Sequence, residues 1–132
     1  MAQSSPYVRE LEQACAAVAS ALGRTDWKLA YQSRSGPPTQ AWLEPDILDE
    51  LRANPSDTVI APIGFLSDHM EVIYDLDVEA RRLAGELGIR TARARTVGTH
   101  PAMLEMIAEF VQQEHAPCPP GCCAAARRPA AK

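Results

Sequence analysis

Residues 60–79 read IAPIGFLSDHMEVIYDLDVE, and the fold turns on how this stretch is divided. Val59, Ile60 and Ile63 form a short apolar run of strand type that breaks at Gly64 and Ser67 and resumes as an acidic amphipathic helix. The intervening turn brings Asp68, His69 and Glu71 to the carboxyl end of the strand, where open α/β sheets usually place ligands. Glu71, Asp75 and Glu79 recur at i, i+4 and i+8, so a regular helix carries them as one acidic ridge. Like charges at that spacing each cost a helix about 0.2–0.5 kcal/mol, whereas a bound cation turns the same carboxylates into ligands. Two readings of the turn stand. Asp68 is an N-cap with Glu71 closing a capping-box-like arrangement, or the imidazole and carboxylates supply mixed nitrogen and oxygen ligands and a proton acceptor. The repulsion along the ridge favours the second.

Upstream, residues 45–53 read as a short helix with Ile47, Leu48 and Leu51 inward, stopped by Asn54-Pro55. Before it, residues 27–32 (WKLAYQ) have the length and aromatic content of a strand and run into Ser33-Arg34-Ser35-Gly36-Pro37-Pro38, which continues neither strand nor helix. The loop from there to Trp42 and Leu43 is either a binding loop at the sheet's carboxyl edge or a solvated connection with Trp42 as a packing anchor. Strand, helix and strand make a βαβ unit, whose right-handed crossover predicts that segments 27–32 and 58–61 pair in parallel.

Ser5-Pro6 opens a first helix whose apolar stripe is Val8, Leu11, Cys15, Val18 and Leu22, up to Gly23, with Cys15 as a packing residue. Beyond the ridge, Ile73, Leu76, Ala80, Leu83, Ala84 and Leu87 mark a core face, and Gly88 ends that helix. A third strand is expected over 89–94. A last helix opens at Thr99-His100-Pro101 with Leu104, Ile107 and Val111 inward and ends near His115. The alternating order points to a doubly wound parallel sheet that lacks an expected strand before residue 6.

With 132 residues, 46% of them hydrophobic, the chain suits one domain with one core. Thirteen basic against 17 acidic residues, net charge −4 and no basic block, argue against nucleic acid as a partner. No apolar run approaches the roughly 20 residues that span a bilayer, and the first five residues lack signal-peptide character, so a cytoplasmic protein is expected. The four cysteines then read as free thiols or metal ligands rather than disulfides. Cys118, Cys122 and Cys123 crowd into the C-terminal tail at a spacing too tight for a two-knuckle zinc site; they suit a cluster or a shared metal, or are incidental thiols in a tail expected to be disordered.

The stretch 62–79, PIGFLSDHMEVIYDLDVE, resembles the signature of ferrochelatases, which insert ferrous iron into a porphyrin. Residues 31–38 (YQSRSGPP) with Trp42-Leu43 resemble a second block of that family, and the wording of this block and the cysteine tail are most similar to the coproporphyrin III branch. The resemblance implies a Rossmann-like, chelatase-type parallel sheet flanked by helices, the C-terminal half of a two-half fold, over residues 1–115, with 116–132 as a cysteine-containing tail. It implies that Glu71 is the active-site carboxylate, supported by His69 and Asp68, and that Glu71, Asp75 and Glu79 form an acidic ladder able to hold a second divalent cation. The helix carrying that ladder would contain a π-type irregularity. Ser33, Arg34, Gly36 and Trp42 would line the porphyrin pocket, and Cys118, Cys122 and Cys123 would bind a [2Fe–2S] cluster. Ferrochelatases are about twice this length or more. The His-Ser-x-Pro motif of the opposing catalytic histidine is absent here, and neither His100 nor His115 has its context. An N-terminal half or self-association is therefore the expected partner. A non-catalytic metal- or porphyrin-binding module and a small homodimeric chelatase are the alternative readings.

Overall fold

The structure, a computed structural model, describes residues 6–33, 37 and 42–113. Its elements run α1 (Tyr7–Ala21), α2 (Ile47–Ala53), β1 (Thr58–Ile60), then α3 (Met70–Val72), π1 (Ile73–Ala80) and α4 (Arg81–Leu87) as one continuous helix, followed by β2 (Thr91–Arg93) and α5 (Pro101–Gln112). The result is a small α/β unit whose sheet, among the described residues, has two strands. β1 and β2 pair in parallel with Thr58 opposite Thr91 and Ile60 opposite Arg93. The connection between them is the 70–87 helix, which makes this the βαβ crossover.

The expected strand over 27–32 and its pairing with 58–61 are not found. An extended segment becomes a strand only through a ladder of backbone hydrogen bonds, and this one makes a single isolated bridge: the Tyr31 amide donates to Pro45 O at 2.9 Å and Tyr31 O accepts from the Ile47 amide at 2.8 Å. The doubly wound sheet therefore reduces to β1 and β2. That bridge nonetheless sets where α2 begins, and Asp46 then caps the helix by accepting from the Leu48 amide at 2.8 Å. Leu51 is buried and Ile47 and Leu48 pack against the core, as their spacing predicts.

The middle of the long helix is π-helical, as the resemblance implied, rather than a regular α-helix. An α-helix rotates residues four apart by about 40° one way, and a π-helix, with about 4.4 residues per turn, rotates them by about 30° the other way. A helix that is α at its ends and π in its middle thus keeps four-apart rows nearly parallel to its axis. Two such rows result. Val72, Leu76, Ala80 and Ala84 are buried, and Glu71, Asp75 and Glu79 precede the first three of them by one residue. The same geometry removes Ile73 from the expected core face: residues three apart on a π-helix diverge by about 115°, so Ile73 is 40% exposed while Val72 is 0% exposed. Gly88 ends the helix at φ +70°, a left-handed conformation that glycine adopts without steric cost, and lets the Ile89 amide reach back to Ala84 O at 3.0 Å.

The core joins Leu51, Ala80 and Leu83, with Ile47, Leu48, Ile60, Leu87 and Ile89 packed around them. α5 does not contribute to it. Leu104, Ile107 and Val111, expected inward, are exposed, and no residue of this helix is buried. On α1 the stripe is covered at Val8, Leu11 and Cys15 but open at Val18 and Leu22, and the buried residue there is Ala19.

Candidate functional site

The turn after β1 is held from both sides. Leu66 O accepts from the Gly98 amide at 2.8 Å, which ties the turn to the loop after β2, and the Asp68 carboxylate accepts from the Thr96 amide at 3.4 Å. His69, not Asp68, occupies the N-cap position of α3, and its side chain makes no capping bond. The capping-box reading of Asp68 and Glu71 is therefore replaced: Asp68 Oδ1 accepts from Arg93 Nη1 at 2.7 Å instead. The His69 ring is exposed and meets Phe65 edge-on, with centroids 5.1 Å apart.

Arg93 sits at the carboxyl end of β2, opposite Ile60. Its Nε and Nη2 form a two-pronged pair with Asp77 on π1, at 2.7 and 2.8 Å, while Nη1 reaches Asp68. A guanidinium matches this arrangement because its planar fork presents parallel donors. Arg93 does not stand out in the sequence as a site residue. The available signal was an arginine in the TAR strand whose alternation puts Thr91 and Arg93 on one half-buried side and Ala92 on the other, facing a segment rich in carboxylates.

Five acidic residues lie between 68 and 79, and Arg93 divides them. Asp68 and Asp77 are ion-paired. Glu71, Asp75 and Glu79 have no cationic partner among the described residues; Asp75 accepts a short hydrogen bond from the Ser33 hydroxyl. Exposure falls along this row, from the exposed Glu71 to the half-buried Asp75 and Glu79. Asp75 and Glu79 border a cavity of ≈ 150 Å³ shared with Gln32, Ser33, Asp46 and Leu48. The amide nitrogen of Gln32 is buried there with no hydrogen-bond partner in the described residues. Ser33 itself has φ 57°, a left-handed backbone uncommon for a residue with a side chain.

Among the described residues, no group of three or more His, Cys, Asp or Glu side chains converges closely enough to hold a metal ion. The physical reason is geometric: the three row carboxylates stand on successive turns, so they form a line of acceptors and not a cage. Of the expected porphyrin-pocket residues, Ser33 is at the cavity and Trp42 is exposed; Arg34 and Gly36 lie outside the described residues, as do Cys118, Cys122 and Cys123. His100 caps α5, its Nδ1 accepting from the Ala102 amide at 3.3 Å, and His115 is outside the described residues. Cys15 is a half-buried free thiol, and burial pushes its pKa up.

The Arg93 hydrogen bonds hold the Asp77 carboxyl below the usual carboxylate range, outweighing partial burial. For Asp68, partial burial acts upward, but the Arg93 bond, the Thr96 amide and the guanidinium charge together prevail and the net shift is downward. A carboxyl depressed in the folded state contributes stability that is present above its unfolded pKa and lost as pH falls through the folded value. The urea midpoint is therefore expected to fall as pH drops below about 4, and Asp77→Asn should flatten that decline. An equally steep decline in Asp77→Asn would remove the pair as its cause.

Residues 1–115 match the family model described as Ferrochelatase; the chain belongs to the ferrochelatase family. Among its relatives, a protein named ferrochelatase from Rhodopirellula baltica is 47% identical, with the alignment covering 93% of this chain and 41% of the relative. Proteins named coproporphyrin III ferrochelatase from Nocardia farcinica and Streptomyces coelicolor are 41% and 45% identical, covering 95% and 80% of this chain and 42% and 35% of theirs. The chain thus spans about two fifths of the length of these curated relatives. No helix of the described residues is long and apolar enough to cross a membrane.

Proposed function

We propose that this chain supplies the metal-handling wall of a ferrochelatase that inserts Fe²⁺ into coproporphyrin III, with protoporphyrin IX as the other candidate acceptor, in cytoplasmic heme biosynthesis. One observation carries the reading: Arg93 takes up Asp68 and Asp77, while Glu71, Asp75 and Glu79 are left as a row of carboxylates without a cationic partner in the described residues. Metallation exchanges the water ligands of Fe²⁺ for four porphyrin nitrogens and releases two pyrrolic protons. Carboxylates free of internal cations can meet both needs, as oxygen ligands to a hard divalent ion and as proton acceptors. In this reading Glu71 is the acceptor nearest the porphyrin, with His69 beside it. Asp75 and Glu79 relay or hold a second cation, and Ser33, Arg34, Gly36 and Trp42 contact the macrocycle.

The chain's two-fifths share of its relatives and the exposed Leu104, Ile107 and Val111 of α5 support a site completed by further polypeptide, with residues 1–115 as the C-terminal half of a two-half, Rossmann-like chelatase fold. Cys118, Cys122 and Cys123 provide three of the four thiolates of a [2Fe–2S] cluster. The fourth would come from that further polypeptide, since Cys15 is half-buried in α1.

Anaerobic addition of Fe²⁺ to coproporphyrin III, followed by loss of porphyrin fluorescence, tests the reading with this chain alone and with added polypeptide equivalent to the rest of the relatives. Metallation in the mixture is the expected result, together with acid-labile sulfide bound in the assembled protein. Porphyrin binding without turnover in both samples would replace the enzyme by a binding module.

A further inference from the structure

We propose that Arg93 is a positioning residue of the metallation site: it fixes the turn that carries His69 and Glu71 against π1 and withholds Asp68 and Asp77 from the incoming cation. Its side chain is 16% exposed, while those of Asp68 and Asp77 are 30% and 35% exposed. The two carboxylates it binds lie on either side of His69 and Glu71 in the chain, one in the turn and one on the second half of π1. A single rigid plane anchored in β2 therefore bridges the two segments whose relative placement aims Glu71.

Charge gives Arg93 a second role. Without the guanidinium, the segment 68–79 would present five carboxylates of similar standing, and a divalent cation could settle on Asp68 or Asp77 away from the row. With it, both competitors are already paired, and the acceptors lacking a cation are those of the row. Lysine cannot reproduce this, because an ammonium is a point donor and does not hold one carboxylate by two parallel bonds while reaching another.

The rate consequence rests on the proposed metallation activity, whereas the clamp itself is read without it. Amide hydrogen exchange is measured in the full chain for wild type, Arg93→Met, Arg93→Lys and Asp77→Asn. Arg90→Met, which loses only an exposed ion pair to Asp57 at the start of the same strand, is the control. The His69 and Ile73 amides, bonded to Ser67 O and His69 O, should exchange about tenfold faster in the three clamp variants, while the Thr58 and Ala94 amides at the ends of the β1–β2 ladder stay within about twofold. In the assembled enzyme, Arg93→Lys should lower kcat for Fe²⁺ insertion by about 100-fold with little change in the porphyrin KM, and Arg90→Met should keep the wild-type rate. Unchanged exchange at His69 and Ile73, or full activity in Arg93→Lys, overturns the proposal. A wild type that fails to metallate porphyrin overturns the functional reading instead, and exchange then still decides whether Arg93 clamps the turn.

Discussion

Glu71→Ala is expected to lower the rate of Fe²⁺ insertion by about 100-fold or more while moving the melting temperature by no more than about 2 °C. The second half of that expectation follows from the fold. Glu71 is exposed, has no hydrogen bond or ion pair in the described residues, and precedes Val72 by one position, so its methylene stem leaves the buried row untouched. Substitutions at such positions stay within about 0.5 kcal/mol. The first half follows from the chemistry: a free carboxylate in an acid-rich row is available to accept a pyrrolic proton or to exchange with water on the incoming ion. Asp75→Ala is less clean, because it also removes the acceptor of the Ser33 hydroxyl. The check is the metallation rate of the assembled enzyme alongside a thermal melt. Wild-type turnover in Glu71→Ala would remove this residue from the mechanism.

Leu51→Ala is expected to do the reverse, removing about 3 kcal/mol of stability with no direct contact to the site. Leu51 is 2% exposed and sits between α2 and the long helix, against Ala80 and Leu83. Leu83 and the surrounding Ile47, Leu48, Ile60, Leu87 and Ile89 are themselves packed in this core, so their rearrangement fills only part of the space it vacates. A domain of this size has only about 5–10 kcal/mol in total, and such a loss should bring the urea midpoint down by about a third to three fifths. By contrast, Val111→Ala, at a position 80% exposed, should leave the midpoint where it is. A Leu51→Ala protein with a wild-type midpoint would show that the core is elsewhere.

Legibility in the sequence followed the range of the interactions involved. α2, its Asn54-Pro55 stop and the glycine terminus at Gly88 were readable because each depends on a few adjacent residues. β1 and β2 were readable as segments, but not their pairing, since strand partnership depends on residues far apart in the chain. Residues 27–32 look like a strand in composition and fail to become one because only Tyr31 finds backbone partners. The acidic row was legible from spacing alone. Val72 in place of Ile73 was not, because four-residue and three-residue spacings compete in any apolar helix and only the wider π turn decides between them. Arg93 escaped notice for a similar reason: its partners are 16 and 25 residues away.

The π segment also makes the number of residues between His69 and Gly88 as consequential as their identity. Removing Ile73 or Tyr74 with the π winding kept would re-phase everything beyond it by about 80°. Ala80, Leu83 and Ala84 would then turn away from Leu51, and Asp77 and Glu79 would exchange neighbours although every acidic side chain was still present. Such a segment tolerates exchange of its outward side chains far better than a change in its length, so its evolutionary record should be one of substitution without insertion or deletion.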